Sequence, residues 1–165
     1  MASGDTLLTF HPYNNEPPTG TYATLDTRNS HPVLDFIHSG TSENAIFSAV
    51  MPRNYAGTTG VTGYIHYSMS SAVTGTMDWD MAFERIGDQQ QDVDVNSFAA
   101  AQSVDDTDVP GVSGMVDIVS IAFTNGAQMD SVAVGELLRI MITRDAASDD
   151  AAGDAELHAV EIKET

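Results

Sequence analysis

The sequence predicts an all-β protein, a two-sheet jelly-roll sandwich of about eight strands with an extended N-terminal arm. Three observations lead there. Apolar residues recur mostly at every second position, the period of a strand with one buried face. Clusters of Gly, Pro, Asn, Asp and Ser break the chain into short segments, as the turns of a sandwich or barrel do. The 165 residues suit one domain with a real core, and the chain has no cysteine to staple it.

The elements follow in order. Thr6-Leu7-Leu8-Thr9-Phe10 leads into His11-Pro12-Tyr13-Asn14-Asn15-Glu16-Pro17-Pro18-Thr19-Gly20. Proline restricts φ and removes backbone donors, so residues 1–20 read as an extended arm. It is either a loop leading into the first strand or a segment reaching a neighbouring subunit. The folded domain then spans 21–165. Its first strands fall near 21–28 (Tyr22, Leu25), 32–38 and 44–51. The clearest alternation is Val61, Gly63, Ile65, Tyr67, Met69 on one face, with Thr62, Tyr64, His66 and Ser68 on the other. A second is Met77, Trp79, Met81 and Phe83 against Asp78, Asp80, Ala82 and Glu84. With only the turn-rich 70–75 between them, these two are read as neighbouring antiparallel strands. Further strands are expected near 98–104, 115–123, 136–144 and 157–163. Helix is confined to one turn within 127–134, ended by Gly135.

Charge and motifs narrow the function. Six Lys+Arg face 24 Asp+Glu, a net charge of −18. Such a surface repels nucleic acid and anionic lipid and favours solubility. No apolar run is long enough to span a bilayer, and Met1 to Phe10 has neither the basic start nor the apolar run of a signal peptide. No Gly-x-Ser-x-Gly elbow, phosphate-binding Gly-rich loop with Lys, or His-Glu-x-x-His pattern is present. His11, His31, His38, His66 and His158 are not spaced to place two on one strand face. The reading is therefore a binding or structural protein and not an enzyme. A jelly-roll enzyme of the cupin kind would need clustered inward His and Glu, a pattern absent here.

Two features carry weaker signals. Asp78, Asp80 and Glu84 share a strand face, read as a solvated outer surface in preference to a carboxylate pair for glycoside chemistry. The loop 145–154 offers Asp145, Asp149, Asp150 and Asp154 as candidate calcium ligands, without the spacing of an EF-hand; otherwise no cofactor is expected. Tyr13, Tyr22, Tyr55 and Tyr64 could stack on sugar rings if they are exposed.

The chain ends carry a resemblance. Gly135-Glu136-Leu137-Leu138-Arg139, the Arg144-Asp145 corner, the Asp-rich loop and Gly153-Asp154-Ala155-Glu156-Leu157 resemble the closing strands of small phage-encoded jelly-roll virion proteins. Phe123 to Asp130, the opening Ser3-Gly4-Asp5-Thr6-Leu7, Glu16-Pro17-Pro18 and Ala23-Thr24-Leu25-Asp26 are similar to the same group. The resemblance implies a virion structural protein, foremost a capsid decoration (cement) protein that sits on the shell as a homotrimer and touches the major capsid protein. Its arm, through Leu7, Phe10, Pro12, Tyr13, Pro17 and Pro18, would make the partner contacts. The alternative is a tail-fibre or receptor-binding tip, or a carbohydrate-binding module, acting through loops such as Arg53-Asn54-Tyr55 or 145–154. No catalytic residue is carried over.

Overall fold

A computed structural model describes residues 4–16 and 18–165 and shows two antiparallel sheets packed face to face. Among the described residues eleven strands build them: β1 (Thr6–Phe10), β2 (Asn15–Glu16), β3 (Thr24–Arg28), β4 (His31–Phe36), β5 (Glu43–Val50), β6 (Val61–Met69), β7 (Thr76–Ile86), β8 (Gln102–Asp108), β9 (Asp117–Phe123), β10 (Leu137–Arg144) and β11 (Ala155–Glu164). One sheet runs β3-β4-β11-β6-β9, with β1 also paired to β11; the other runs β2-β5-β10-β7-β8. From β4 onward the chain changes sheet at every connection except that between β7 and β8. This is the jelly-roll sandwich the alternation predicts.

The inward residues form one aromatic-rich core. Trp79, fully buried, meets Phe36 and Tyr67 edge-on at 5.2 and 5.4 Å between ring centroids. Phe83 meets Phe123 edge-on at 4.8 Å. These are favoured geometries for ring quadrupoles. Every apolar residue assigned inward on β6 and β7 is buried.

Four expectations change. β6 and β7 are not hydrogen-bonded neighbours; they lie in different sheets and face each other across the core. A Cβ on Gly63 would stand 2.5 Å from the Met81 side chain, so this glycine lets the layers close. Alternation reports which face is buried, not which strand lies alongside. The strand expected at 98–104 begins only at Gln102. Residues 97–101 instead run irregularly alongside β7, where Ser97 N–H donates to Glu84 (2.5 Å) and Ala99 N–H to the Phe83 carbonyl (2.8 Å).

The arm is also corrected. Residues 6–10 are a strand along the C-terminal half of β11, while β4 pairs with its N-terminal half. Phe10 stacks on Phe47 at 5.3 Å, and both Phe10 and Pro12 are buried in the chain's own core. A five-residue run with two adjacent leucines shows no clean period, so the signal was absent from the sequence. Finally, the outer face of β7 is not uniformly solvated. Asp78 and Glu84 are buried, because Asp106 N–H donates to Asp78 (2.6 Å) and Arg139 and Ser97 close over Glu84.

Candidate functional site: a tyrosine-flanked cleft

The exposed aromatic surface gathers at one flank of the sandwich. After β1, Pro12–Asn14 make one 3-10 turn. His11 N–H donates to Asn14 Oδ1 (2.9 Å), and Asn14 N–H returns to the His11 carbonyl (2.8 Å). This reciprocal cap fixes the turn. Pro12 wedges inward, so the next residue, Tyr13, is turned out and is 70% exposed. Asn15 is anchored by Ile46 N–H, which donates to its Oδ1 at 3.0 Å.

Tyr22 arrives from the other side. Ala23 N–H donates to the Asn44 carbonyl and Asn44 N–H to the Thr21 carbonyl, both at 3.0 Å. This bridge to β5 holds the backbone on either side of Tyr22, which is 43% exposed. Tyr13 and Tyr22, with Pro12, Asn15, Thr24 and Leu25, line a cleft of about 280 Å³ floored by Ala23 and Leu34. Leu25 is 55% exposed. Tyr22 and Leu25, assigned to a core strand by the sequence, thus face the cleft and solvent, because β3 is the outermost strand of its sheet. Among the described residues no charged side chain lines this cleft. Rings placed by a fixed backbone lose little freedom when a flat ligand stacks on them.

The other tyrosines do different work. Tyr55 is buried, its hydroxyl donating to Asn125 Oδ1 at 3.3 Å, and burial pushes its phenol up. Tyr64 is half-buried on the outer face of β6. Of the other arm residues, Leu7 and Pro18 are half-buried, and Pro17 lies outside the described residues.

A second polar cluster lies at the far end of β3. Arg28, Asn29, His31, Gly114, Val116 and His158 line a cavity of about 330 Å³. Beneath it, Ser68 stands 2.9 Å from His158 Nε2 and 3.0 Å from Glu156, which also accepts from Arg28 at 2.7 Å. The arrangement contains Ser, His and a carboxylate, yet its direction is wrong for a nucleophile. Ser68 gives its only proton to Glu156, so it must accept from His158. The imidazole therefore cannot act as the base for that hydroxyl, and Ser68 is fully buried. Burial also lowers the His158 pKa.

The Asp-rich loop is built around a buried arginine. Arg144 points into the core end of β10, fully buried. It donates to both carboxylate oxygens of Asp149 (2.6 and 3.3 Å), to the carbonyls of Phe36, Ala151 and Gly153, and meets His38 Nδ1. Arg144 pairs with Asp149 and not with its chain neighbour Asp145. The candidate calcium ligands diverge. Asp145 accepts from Ser42 and Ser148, Asp150 from the Thr76 backbone and hydroxyl, and Asp154 from His38 N–H. Among the described residues no group of three potential metal ligands converges. The loop is held by protein donors and the arginine.

Fold and site together define a jelly-roll β-sandwich with a fixed, uncharged aromatic cleft on its flank. No family model matches the chain, and no curated protein matches its sequence. Its fold is similar to several solved structures. The CBM22-1 xylan-binding domain of Paenibacillus barcinonensis Xyn10C superposes with a TM-score of 0.51 at 13% identity, over 99% of this chain and 97% of that one. The xylan-binding module CBM15 gives 0.52 at 8% identity, over 96% and 97%. The arabinose-bound MgGH51 α-L-arabinofuranosidase gives 0.53 at 14% identity over 91% of this chain, which spans only 23% of that enzyme. These likenesses establish the fold.

Proposed function

We propose that this protein is a carbohydrate-binding module that holds neutral glycan chains at the Tyr13–Tyr22 cleft. The observation that carries the reading is the pair of backbone-fixed, exposed tyrosines flanking an uncharged cleft. A pyranose ring presents C–H groups on its faces and hydroxyls at its rim. The tyrosine rings suit the first, and the phenol hydroxyls, Asn15 and Thr24 suit the second. The fold shared with two xylan-binding modules supports the same reading. The reading is of binding without chemistry, and it is supported by the Ser68-His158-Glu156 cluster, whose hydrogen bonds run away from a nucleophile. A glycan platform also serves a receptor-binding fibre tip. Capsid decoration rests on the resemblance of the terminal motifs alone.

Calorimetry or affinity electrophoresis against xylo- and manno-oligosaccharides tests this. Weak binding is expected, in the micromolar to millimolar range, about −8 to −4 kcal/mol. Tyr13→Ala and Tyr22→Ala should each weaken it by roughly 2- to 12-fold, given about 0.5–1.5 kcal/mol per stacked ring. Tyr64→Ala should leave it unchanged. Binding that survives the Tyr13→Ala/Tyr22→Ala double substitution would refute the site.

A further inference from the structure

We infer that Asp26 and Asp35 make the Tyr13–Tyr22 cleft selective against acidic glycans, so that its ligands are chains free of carboxylate and sulfate groups. The inference rests on the glycan-binding reading above and adds the residues that set its ligand class.

Thr24 forms one wall of the cleft. In the β3–β4 pair Thr24 lies directly opposite Asp35, and Asp26 follows it two residues along β3. Residues opposite each other in an antiparallel pair have Cβ atoms about 4.5–5.5 Å apart. Alternate residues of one strand share a face at about 6.5–7 Å. Both carboxylates therefore border the cleft on its Thr24 side. Neither makes an ion pair among the described residues. The cation on β3, Arg28, is held at the far end of the strand by Glu156 at 2.7 Å. On the opposite wall Glu16 follows Asn15, but Arg139 answers it at 3.2 Å. The cleft thus has an uncharged interior and two uncompensated carboxylates on one rim.

Asp35 registers the potential at this rim. Burial pushes its pKa from 3.8 to about 6, and every further cause is another carboxylate: Asp154, Glu156, Asp26 and Glu43. Asp35 is still ionised at pH 7.5. A uronate resting on Thr24 would meet the same field with the same sign. At about 8 Å from each carboxylate, with an effective dielectric between those of a protein surface and water, the repulsion corresponds to roughly 3- to 30-fold in affinity. A neutral ring does not feel it.

Methyl esterification provides the test, because it removes the charge and keeps the chain. Glucuronate-bearing xylo-oligosaccharides and oligomannuronates are each compared with their own methyl esters by calorimetry at pH 7.5, in about 0.1 M salt where the Debye length is about 10 Å. The wild type should bind the ester roughly 3- to 30-fold more tightly than the acid. Asp26→Asn/Asp35→Asn should bring acid and ester together and leave the affinity for the ester unchanged. Asp105→Asn/Asp106→Asn removes the same charge from β8, four strands from β2 and roughly 19 Å away, and should keep the wild-type ratio. Equal binding of acid and ester by the wild type, a ratio unchanged in the rim variant, or a ratio lowered as far by the β8 variant would each overturn the inference while leaving the cleft reading intact. Esters that do not bind at all would remove the cleft reading, and this inference with it.

Discussion

Replacing Asp35 with Asn should stabilise the protein at neutral pH, and the gain should vanish in acid. Asp35 stands on the outer face of β4, directly opposite Glu156 on β11. Burial first, then the charges of Asp154, Glu156, Asp26 and Glu43, push its pKa from 3.8 to about 6. Its Oδ1 is buried without a hydrogen-bond partner among the described residues. Like charges paired directly across strands destabilise a sheet. Between pH 3.8 and about 6 the folded state holds this proton more tightly than the unfolded chain. Stability is therefore greatest below the unfolded value and falls as pH rises through the folded one. The full displacement corresponds to about 3 kcal/mol; screening at a half-buried group reduces it to on the order of 1–2 kcal/mol. Urea unfolding followed through Trp79, the sole tryptophan and fully buried, measures this directly. At pH 7.5 Asp35→Asn should raise the unfolding free energy by that amount, and near pH 3.5 the two proteins should coincide. A variant less stable at pH 7.5, or a difference independent of pH, would refute the reasoning.

Two further substitutions probe the frame. Arg144→Met leaves Asp149 buried without its counter-charge and frees three carbonyls; a loss of about 3–5 kcal/mol is expected in the same unfolding assay. Gly60→Ala sets a Cβ 2.0 Å from the Phe123 carbonyl oxygen at a φ of +101°; the expected outcome is failure to accumulate as folded protein, read by soluble yield and circular dichroism.

Much of this architecture can be read from the residues, and the unread parts share a cause. Met77, Trp79, Met81 and Phe83 announce their strand and its buried face because period and burial are local properties. Strand partners are not local, which is why β6 and β7 looked like a hairpin while lying in opposite layers. The same holds for charge. Asp78 and Glu84 look like surface residues until residues 97–106 fold over them. Arg144 sits in the inward register of β10 after Leu138, Ile140 and Ile142, a pattern that signals a buried charge in need of partners. Asp149, five residues on, could have been proposed from that alone. For the cleft, Tyr13 and Tyr22 are visible as candidates, but their meeting is not. It depends on Pro12 turning inward and on the bridge from residues 21–23 to Asn44, long-range contacts with no sequence period.

The pairing of β1 with β11 brings residues distant in sequence side by side. Gly4 N–H donates to the Glu164 carbonyl and Glu164 N–H to the Asp5 carbonyl, both at 2.9 Å. A short peptide joining residue 4 to residue 164 would close the backbone between them into a ring with little rearrangement, and circular permutants opened in the exposed stretch 92–95 would keep every strand pairing.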